Sequence, residues 1–109
     1  MVMRGFKNSI RSDVGWMTLK KSSGDNMIRK FAVSRDDSVY EAWPDVALTE
    51  RGRLICVFAE CKHHGDRSFT MIVMCVSDDR GRTWSPKKAL TELTSGFPYW
   101  NCPRISRLA

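Results

Sequence analysis

From residue 28 onward, short apolar and β-branched stretches alternate with polar segments. None of these stretches keeps the ~3.6-residue period of an amphipathic helix over two or more turns, and most have the length of a strand. The pattern therefore predicts an all-β chain of antiparallel sheet. The predicted strands are 14–19, 28–34 as an edge strand, 44–49, 54–59, 68–76, 86–90 as a short outer strand, and 103–108.

Three local features accompany these predicted strands. Strand 44–49 is expected to begin at Pro44, a position where a missing N–H is tolerated. Residues 50–53 are predicted to form a hairpin turn in which Gly52 adopts a positive φ angle. Residues 62–67 are predicted to form a polar loop.

The two central strands, 54–59 and 68–76, have apolar residues at both odd and even positions, so both faces of each strand are apolar. A short connection makes them antiparallel neighbours. In an antiparallel sheet with one solvent-exposed face, apolar and polar residues alternate along each strand. Both faces of these strands are therefore expected to be covered. A stack of antiparallel sheets covers both faces in this way, as in a β-propeller.

Residues 77–84, SDDRGRTW, place a tryptophan in a polar turn directly after an apolar strand. Ser and Asp side chains can hydrogen-bond nearby backbone groups and stiffen such a turn. Gly81 can adopt a positive φ angle without a Cβ clash. The turn is predicted to direct Trp84 back between sheets, where its burial contributes on the order of 2–3 kcal/mol. In this interpretation Trp84 is a structural residue, not a ligand platform.

A faint internal repeat relates residues 40–47, YEAWPDVA, to residues 99–106, YWNCPRIS. A tyrosine, a proline, a β-branched residue and a small residue recur in phase. A repeat of roughly 50 residues that contains about four strands is typical of a propeller blade.

The charge of the chain is concentrated near its N-terminus. The net charge is +6, and residues 1–35 hold eight Lys and Arg but only two acidic residues. For residues 1–27 two interpretations stay open, a basic arm that attracts phosphate or acidic sugars and a solvated extension. No aromatic-interleaved groove accompanies the charge, so nucleic acid is not a favoured partner.

No segment indicates a membrane or a particular compartment. The sequence has no run of about 18 apolar residues, so no membrane-spanning helix is expected. The first residues lack the continuous apolar region of a secretory signal. The localisation stays open.

The four cysteines include no CxxC pair. Cys56 and Cys75 lie in apolar runs, where a reduced, buried thiol behaves as a small hydrophobe. Cys61, His63 and His64 could supply metal ligands, but their spacing fits no standard zinc pattern. No metal site and no cofactor are predicted.

The pattern S-x-D-x-G-x-T-W, formed by Ser77, Asp79, Gly81, Thr83 and Trp84, resembles the Asp-box, or bacterial neuraminidase repeat, at every defining position. The segments that precede it, from Trp43 through the hairpin at Gly52 to His63 and Asp66, are similar to the first full blade of the sialidase-like six-bladed propellers. Asp-boxes also occur outside sialidases, so the motif indicates architecture better than activity.

The resemblance covers residues 28–109, of which about 43–91 match one full blade and 103–108 match the first strand of the next. Residues 1–27 lie outside it as a poorly defined basic N-terminal extension.

The resemblance implies a glycoside hydrolase that cleaves terminal sialic acid. In that family three arginines bind the substrate carboxylate, an aspartate is the acid/base, and a tyrosine paired with a glutamate is the nucleophile. This chain departs from the pattern at two arginine positions, where it has Ala42-Trp43-Pro44 and Glu60-Cys61. Its tyrosines, Tyr40 and Tyr99, precede inner strands and do not correspond to the nucleophile.

A few residues stay candidates for a sugar site. Asp66 is the best match to the acid/base residue, and Asp45 is the second candidate. The alternative interpretation of Asp66 is a solvated loop carboxylate. His63 and His64 are candidate substrate-binding residues or an exposed loop pair. Arg104 is a pocket cation or an edge-strand charge.

The functional expectation has two branches. The first is a fragment or truncated relative of a sialidase-like glycoside hydrolase that acts on glycans and is inactive alone. The second is a non-catalytic carbohydrate-binding or self-assembling β module. In either case a lone blade exposes apolar faces, so a homo-oligomer or the remainder of a propeller is an expected partner.

Overall fold

The computed structural model describes residues 28–108, and in the N-terminal region the backbone of residues 3–6, 9–12 and 17–20. The described residues form strands, turns and bends without a helix. They accordingly contain no helix long and apolar enough to cross a membrane.

The first sheet has four short strands. They are β1 (Met3–Phe6), β2 (Ser9–Ser12), β3 (Met17–Lys20) and β4 (Ile28–Phe31). Their order is β2-β1-β3-β4, with antiparallel pairing except between β1 and β3, which are parallel. The predicted edge strand at 28–34 is confirmed as β4, although it ends at Phe31. Three strands thus lie in the region 1–27, and the basic side chains expected there lie outside the described residues.

The second sheet is an antiparallel meander. Its strands are β5 (Tyr40–Leu48), β6 (Leu54–His63), β7 (Asp66–Ser77) and β8 (Lys88–Ala89), in the order of the sequence. The predicted antiparallel pairing of the two central strands is confirmed, with Cys56 opposite Cys75 and Phe58 opposite Val73. The predicted outer strand 86–90 is present only as the two residues of β8.

Strand β5 begins earlier than predicted. It starts at Tyr40, and Pro44 lies inside it, at an irregularity in the pairing between Ala42 and Asp45. A bulge is one of the few strand positions that accept a proline, because the ladder bond that the missing N–H would donate is not required there.

The connection between β6 and β7 is shorter than the predicted loop 62–67. Both strands extend into this segment until His63 lies opposite Asp66, which leaves His64 and Gly65 as the turn. Polar side chains continue a strand at this point because they lie at the exposed end of the sheet. The predicted turn at 50–53 is confirmed, since Gly52 has a φ of 83° and its N–H donates to the Thr49 carbonyl over 3.0 Å.

The core of the second sheet lies on both faces of β6. One face carries the buried cluster of Val33, Leu54, Cys56, Phe58, Val73 and Cys75. The opposite face carries further buried side chains, among them Val57, Ala59 and Ile72. The prediction that the central strand is covered on both faces is therefore confirmed for β6. Complete burial of a side chain such as Phe58 contributes on the order of 2–3 kcal/mol.

Residues 103–108 form no strand, contrary to the sequence-based expectation. The segment lies against the second sheet, where the Ile105 N–H donates to Asp45 Oδ2 over 3.0 Å. A strand requires a backbone partner, and among the described residues this segment bonds a side chain instead.

Candidate functional site

The bulge in β5 determines where Trp43 lies. Trp43 has a φ of 52°, a left-handed conformation that a bulky residue rarely adopts. Such conformations cost of order 1–3 kcal/mol and occur preferentially at functional sites. At this bulge the Trp43 ring lies 6.2 Å from the Tyr40 ring in an edge-to-face arrangement.

The β6–β7 hairpin brings His64 and Arg67 to the same end of the sheet. The His64 ring lies 5.7 Å from the Tyr40 ring and 6.0 Å from the Trp43 ring. Arg67 Nη1 donates to the His64 carbonyl over 2.8 Å and to the His63 carbonyl over 3.2 Å. These bonds fix the guanidinium with respect to the hairpin.

The Arg67 guanidinium lies over the Trp43 ring, with its central carbon 4.7 Å from the ring centroid, and 5.8 Å from the Tyr99 centroid. Both distances are within the range of cation–π attraction. We call the group of Tyr40, Trp43, His64, Arg67 and Tyr99 the arginine–aromatic cluster. Among the described residues Arg67 forms no ion pair with a carboxylate, so its charge is available to an anion.

A loop from Thr94 to Trp100 holds Tyr99 in the cluster. Thr94 and Thr70 exchange two backbone hydrogen bonds of 2.8 and 2.9 Å, and their hydroxyls lie 2.9 Å apart. The Trp100 N–H donates to Thr70 Oγ1 over 2.9 Å. Because Thr70 is only 1% exposed, the loop is attached to the buried part of β7 at both ends.

Of the predicted sugar-site residues, His64 alone lies in the arginine–aromatic cluster. His63 is exposed on the same hairpin, and its Nδ1 accepts the Gly65 N–H over 3.3 Å. Arg104 is exposed, its Nη1 lies 3.5 Å from the Pro103 carbonyl oxygen, and no contact of the described residues joins it to the cluster. Asp45, the second candidate acid, binds the backbone of Val46 and Ile105.

Asp66 lies at the start of β7, where its Oδ1 accepts the Ser68 N–H over 2.8 Å. Its Oδ2 lies 3.6 Å from Lys62 Nζ and 3.9 Å from His63 Nε2. The hydrogen bonds from Ser68, with Lys62 and His63 nearby, lower the pKa of Asp66. A general acid requires a raised pKa, so this environment favours a permanent carboxylate.

The Cys61 thiol lies beneath the cluster, 3.3 Å from Arg67 Nη1. Burial raises the pKa of this thiol, and the nearby Arg67 only partly opposes the effect. A thiol with a raised pKa is a poor nucleophile and a poor metal ligand. No group of three or more His, Cys, Asp and Glu side chains in the described part of the chain could hold a metal ion.

The turn at 77–84 lies at the opposite end of the sheet and is internally hydrogen-bonded. Ser77 Oγ accepts the Gly81 N–H over 2.8 Å and donates to Asp79 Oδ1 over 2.8 Å. Asp79 accepts the Thr83 N–H over 2.9 Å and the Thr83 hydroxyl over 2.6 Å. The predicted positive φ of Gly81 is confirmed at 83°.

Trp84 completes this turn. Its Nε1–H donates to the Gly81 carbonyl over 3.0 Å. The half-buried ring packs against the core cluster around Phe58. The ring thus lies against the core, as expected, but it is only partly buried, whereas the sequence predicted burial between sheets.

Sequence reasoning missed Arg67, the central residue of the site. The repeat contains Trp43 and Tyr99, and the predicted polar loop contains Arg67, but no sequence pattern relates these three residues to one another. The internal repeat is the sequence signal that bears on the candidate site. It places a tyrosine before each of two segments, 40–47 and 99–106, and both segments lie against the β6–β7 hairpin.

No match was found when the chain was compared with protein-family models, with curated proteins and with solved structures. The functional argument therefore depends on the geometry of the site and on the motif at 77–84.

Proposed function

We propose that this chain is part of a sialidase-like glycoside hydrolase, that it binds an acidic sugar of a glycan at the arginine–aromatic cluster, and that it has no hydrolytic activity alone. The observation that carries the proposal is the Arg67 guanidinium. It has no carboxylate partner among the described residues and lies against the rings of Trp43 and Tyr99.

An acidic sugar matches this arrangement in two respects. Its carboxylate fits the planar fork of a guanidinium, which can form two parallel hydrogen bonds. The apolar face of its ring can pack against an aromatic side chain, while its hydroxyls remain in water or bond polar groups such as His64. Nη1 of Arg67 is occupied by carbonyls, so the ligand is expected to meet Nη2 and Nε.

Two features support a propeller as the surrounding architecture. The bonds at Ser77, Asp79 and Thr83 suit a motif that closes an outer hairpin of a blade. Strand β6 is buried on both faces, as expected for a sheet that packs between neighbours.

The proposed lack of hydrolysis follows from the catalytic groups. The pKa of Asp66 is lowered, which is unfavourable for a general acid. The two described tyrosines form no hydrogen bond to a glutamate, since the hydroxyl of Tyr40 contacts His64. The nucleophile pair that the resemblance implies is therefore not formed by these residues.

Binding is tested with the α-methyl glycoside of N-acetylneuraminic acid in an NMR titration. We expect a dissociation constant on the order of 1 mM, as is ordinary for a single small contact site. Arg67→Gln should weaken binding at least tenfold, on the scale of one charge-assisted bidentate contact. Methyl β-galactoside, which lacks the carboxylate, should bind more weakly.

Arg51→Gln is the matched control, because Arg51 is exposed in the turn at the opposite end of the sheet. It should leave binding unchanged. Equal affinity of Arg67→Gln and the unaltered protein, with circular dichroism showing both folded, would disprove the proposed site.

A second candidate function, a self-assembling β module, is favoured by the exposed apolar surface. Several large apolar side chains are about half exposed or more, namely Ile28, Leu48, Leu90, Leu93, Phe97 and Leu108. Such a surface commonly marks a contact with another chain. Light scattering at several concentrations should then give a molar mass that rises above that of the monomer, and a constant monomer mass would count against this function.

A further inference from the structure

The arginine–aromatic cluster continues past Tyr99 to a further ring. Phe97 lies 6.2 Å from Tyr99 in an edge-to-face arrangement, and it is 90% exposed. Tyr99 itself is 41% exposed. Tyr99 therefore joins Phe97 to the cluster, and both rings lie on the loop from Thr94 to Trp100.

The backbone holds these two rings at a defined position. The Gly96 N–H donates to the Arg67 carbonyl over 3.2 Å, directly before Phe97. Thr70 bonds Thr94 on one side of the rings and Trp100 on the other. The rings are thus placed before a ligand arrives, which reduces the entropy lost on binding.

A phenylalanine that is 90% exposed contributes little to the packing of the sheet. Exposed apolar groups that border a polar site commonly belong to a ligand-binding surface. Here Tyr99 is the neighbour of both other groups, and the successive separations from Arg67 to Tyr99 and from Tyr99 to Phe97 are 5.8 and 6.2 Å. Each step is comparable to the width of one pyranose ring.

We infer that the site takes an oligosaccharide of at least two residues, with the terminal acidic sugar at Arg67 and the next sugar packed against Tyr99 and Phe97. This inference rests on the proposed function, because it assumes that Arg67 binds the carboxylate. It adds a second subsite and assigns Phe97 as a residue that selects longer glycans over the free monosaccharide.

The test compares two probes, the α-methyl glycoside of N-acetylneuraminic acid and the trisaccharide 3′-sialyllactose, by NMR titration of the full chain. The trisaccharide should bind roughly threefold to tenfold more tightly, on the scale of one aromatic contact. Phe97→Ala should remove this difference and leave the affinity for the monosaccharide unchanged. Leu93→Ala is the matched control, because Leu93 is another exposed apolar residue of the same region at 56% exposure.

The outcomes separate the two proposals. If the unaltered protein binds neither sugar, both the proposed acidic-sugar site and the second subsite are wrong. Normal binding of the monosaccharide, with no gain for the trisaccharide and no effect of Phe97→Ala, would overturn only the second subsite. If Phe97→Ala instead lowers the molar mass in light scattering without changing sugar affinity, Phe97 contacts a second copy of the chain and the second subsite is wrong.

Discussion

Ser77 shows how single side chains determine the conformation of a turn. The residue is only 2% exposed. Its hydroxyl oxygen accepts a hydrogen bond from the buried N–H of Gly81. Gly81 itself can turn the chain because it adopts a φ of 83° without a Cβ. The indole of Trp84 then bonds the Gly81 carbonyl, so the residues of the motif depend on one another.

Ser77→Ala should destabilise the protein by about 1–3 kcal/mol, because the buried Gly81 N–H loses its acceptor. Urea denaturation followed by tryptophan fluorescence measures this change. Ser95→Ala is the control, since Ser95 is exposed and should change the free energy of unfolding by less than about 0.5 kcal/mol. A Ser77→Ala variant as stable as this control would contradict the structural role of the turn.

The lowered pKa of Asp79 predicts that the stability of the fold depends on pH. The hydrogen bonds from Thr83 and Ser77 lower the pKa of Asp79 from 3.8 to about 2. The pKa of Asp79 is lower in the folded state than in the unfolded chain. The ionised Asp79 carboxylate therefore stabilises the folded state fully above pH 3.8, and this contribution to the free energy of unfolding is lost as the pH falls toward 2.

The matching experiment compares the unaltered protein with Asp79→Asn in urea denaturation between pH 2 and pH 7. The variant should be less stable near neutral pH, because the amide nitrogen cannot accept the Thr83 hydroxyl bond. The difference in free energy of unfolding should shrink as the pH falls through this window. A difference that stays constant with pH would contradict the prediction.

At the scale of elements, Lys87 connects four separate segments. Its ammonium binds Asp36 at 2.7 Å, Glu41 at 3.1 Å and Glu60, and thereby joins the residues before β8 to β5, β6 and the turn before β5. Burial lowers the pKa of Lys87, but the three hydrogen bonds outweigh it and raise the pKa overall. The side chains of Glu41 and Glu60 are only 6% and 7% exposed, so Lys87 places a positive charge beside two nearly buried carboxylates.

Lys87→Met should destabilise the protein by about 3 kcal/mol, because it leaves the buried carboxylate of Glu60 without its cation. Glu60→Gln added to this variant should restore part of the loss. Lys88→Met, which alters the exposed neighbouring lysine, is the control for chemical denaturation and should be nearly neutral. Equal effects of the two single lysine variants would show that the buried pairs do not matter.

A second connection between elements runs through Thr70 and the loop that carries Tyr99. Thr70→Val should destabilise the protein by about 1–2 kcal/mol, because the Trp100 N–H loses its acceptor and the Thr94 hydroxyl keeps only the Thr70 carbonyl as a partner. Hydrogen exchange of the Trp100 amide should become faster. Thr70→Ser keeps the hydroxyl and should restore slow exchange; no difference between the valine and serine variants would show that the loop is held by other contacts.

At the scale of the whole molecule, the two ends of the second sheet carry different groups of side chains. The turn at 77–84 lies beside the β5–β6 turn, where Arg53 pairs with Asp78 through bonds of 2.7 and 2.9 Å. The arginine–aromatic cluster lies at the other end, roughly 25 Å away along strands of this length. Substitutions in the turn are therefore expected to leave the geometry of the cluster unchanged.

The chain alone should not hydrolyse a fluorogenic sialoside at any pH between 4 and 8. The expected reason is that the carboxylates and tyrosines of residues 28–108 do not form the acid and nucleophile pair that the reaction requires. The measurement is release of the fluorophore over hours at high protein concentration. Turnover that is lost in Asp66→Ala would contradict this expectation.

The sequence by itself determined the central strands β6 and β7 and the conformation of the turn at 77–84. Both depend on interactions within a few residues, such as the bond between Ser77 and Gly81, or on an apolar pattern that needs no knowledge of its partner. For the same reason the pairing of β6 with β7 could be predicted, because a short connection leaves little freedom.

Only the tertiary structure decided which residues form the candidate site. Arg67, Trp43 and Tyr99 are separated by more than 20 residues in sequence, and they meet because a bulge in β5, the β6–β7 hairpin and the loop attached to Thr70 converge at one end of the sheet. The absence of a strand at 103–108 has the same origin, since a strand forms only where a distant backbone is available to pair with it. Local patterns carry no information about such distant partners.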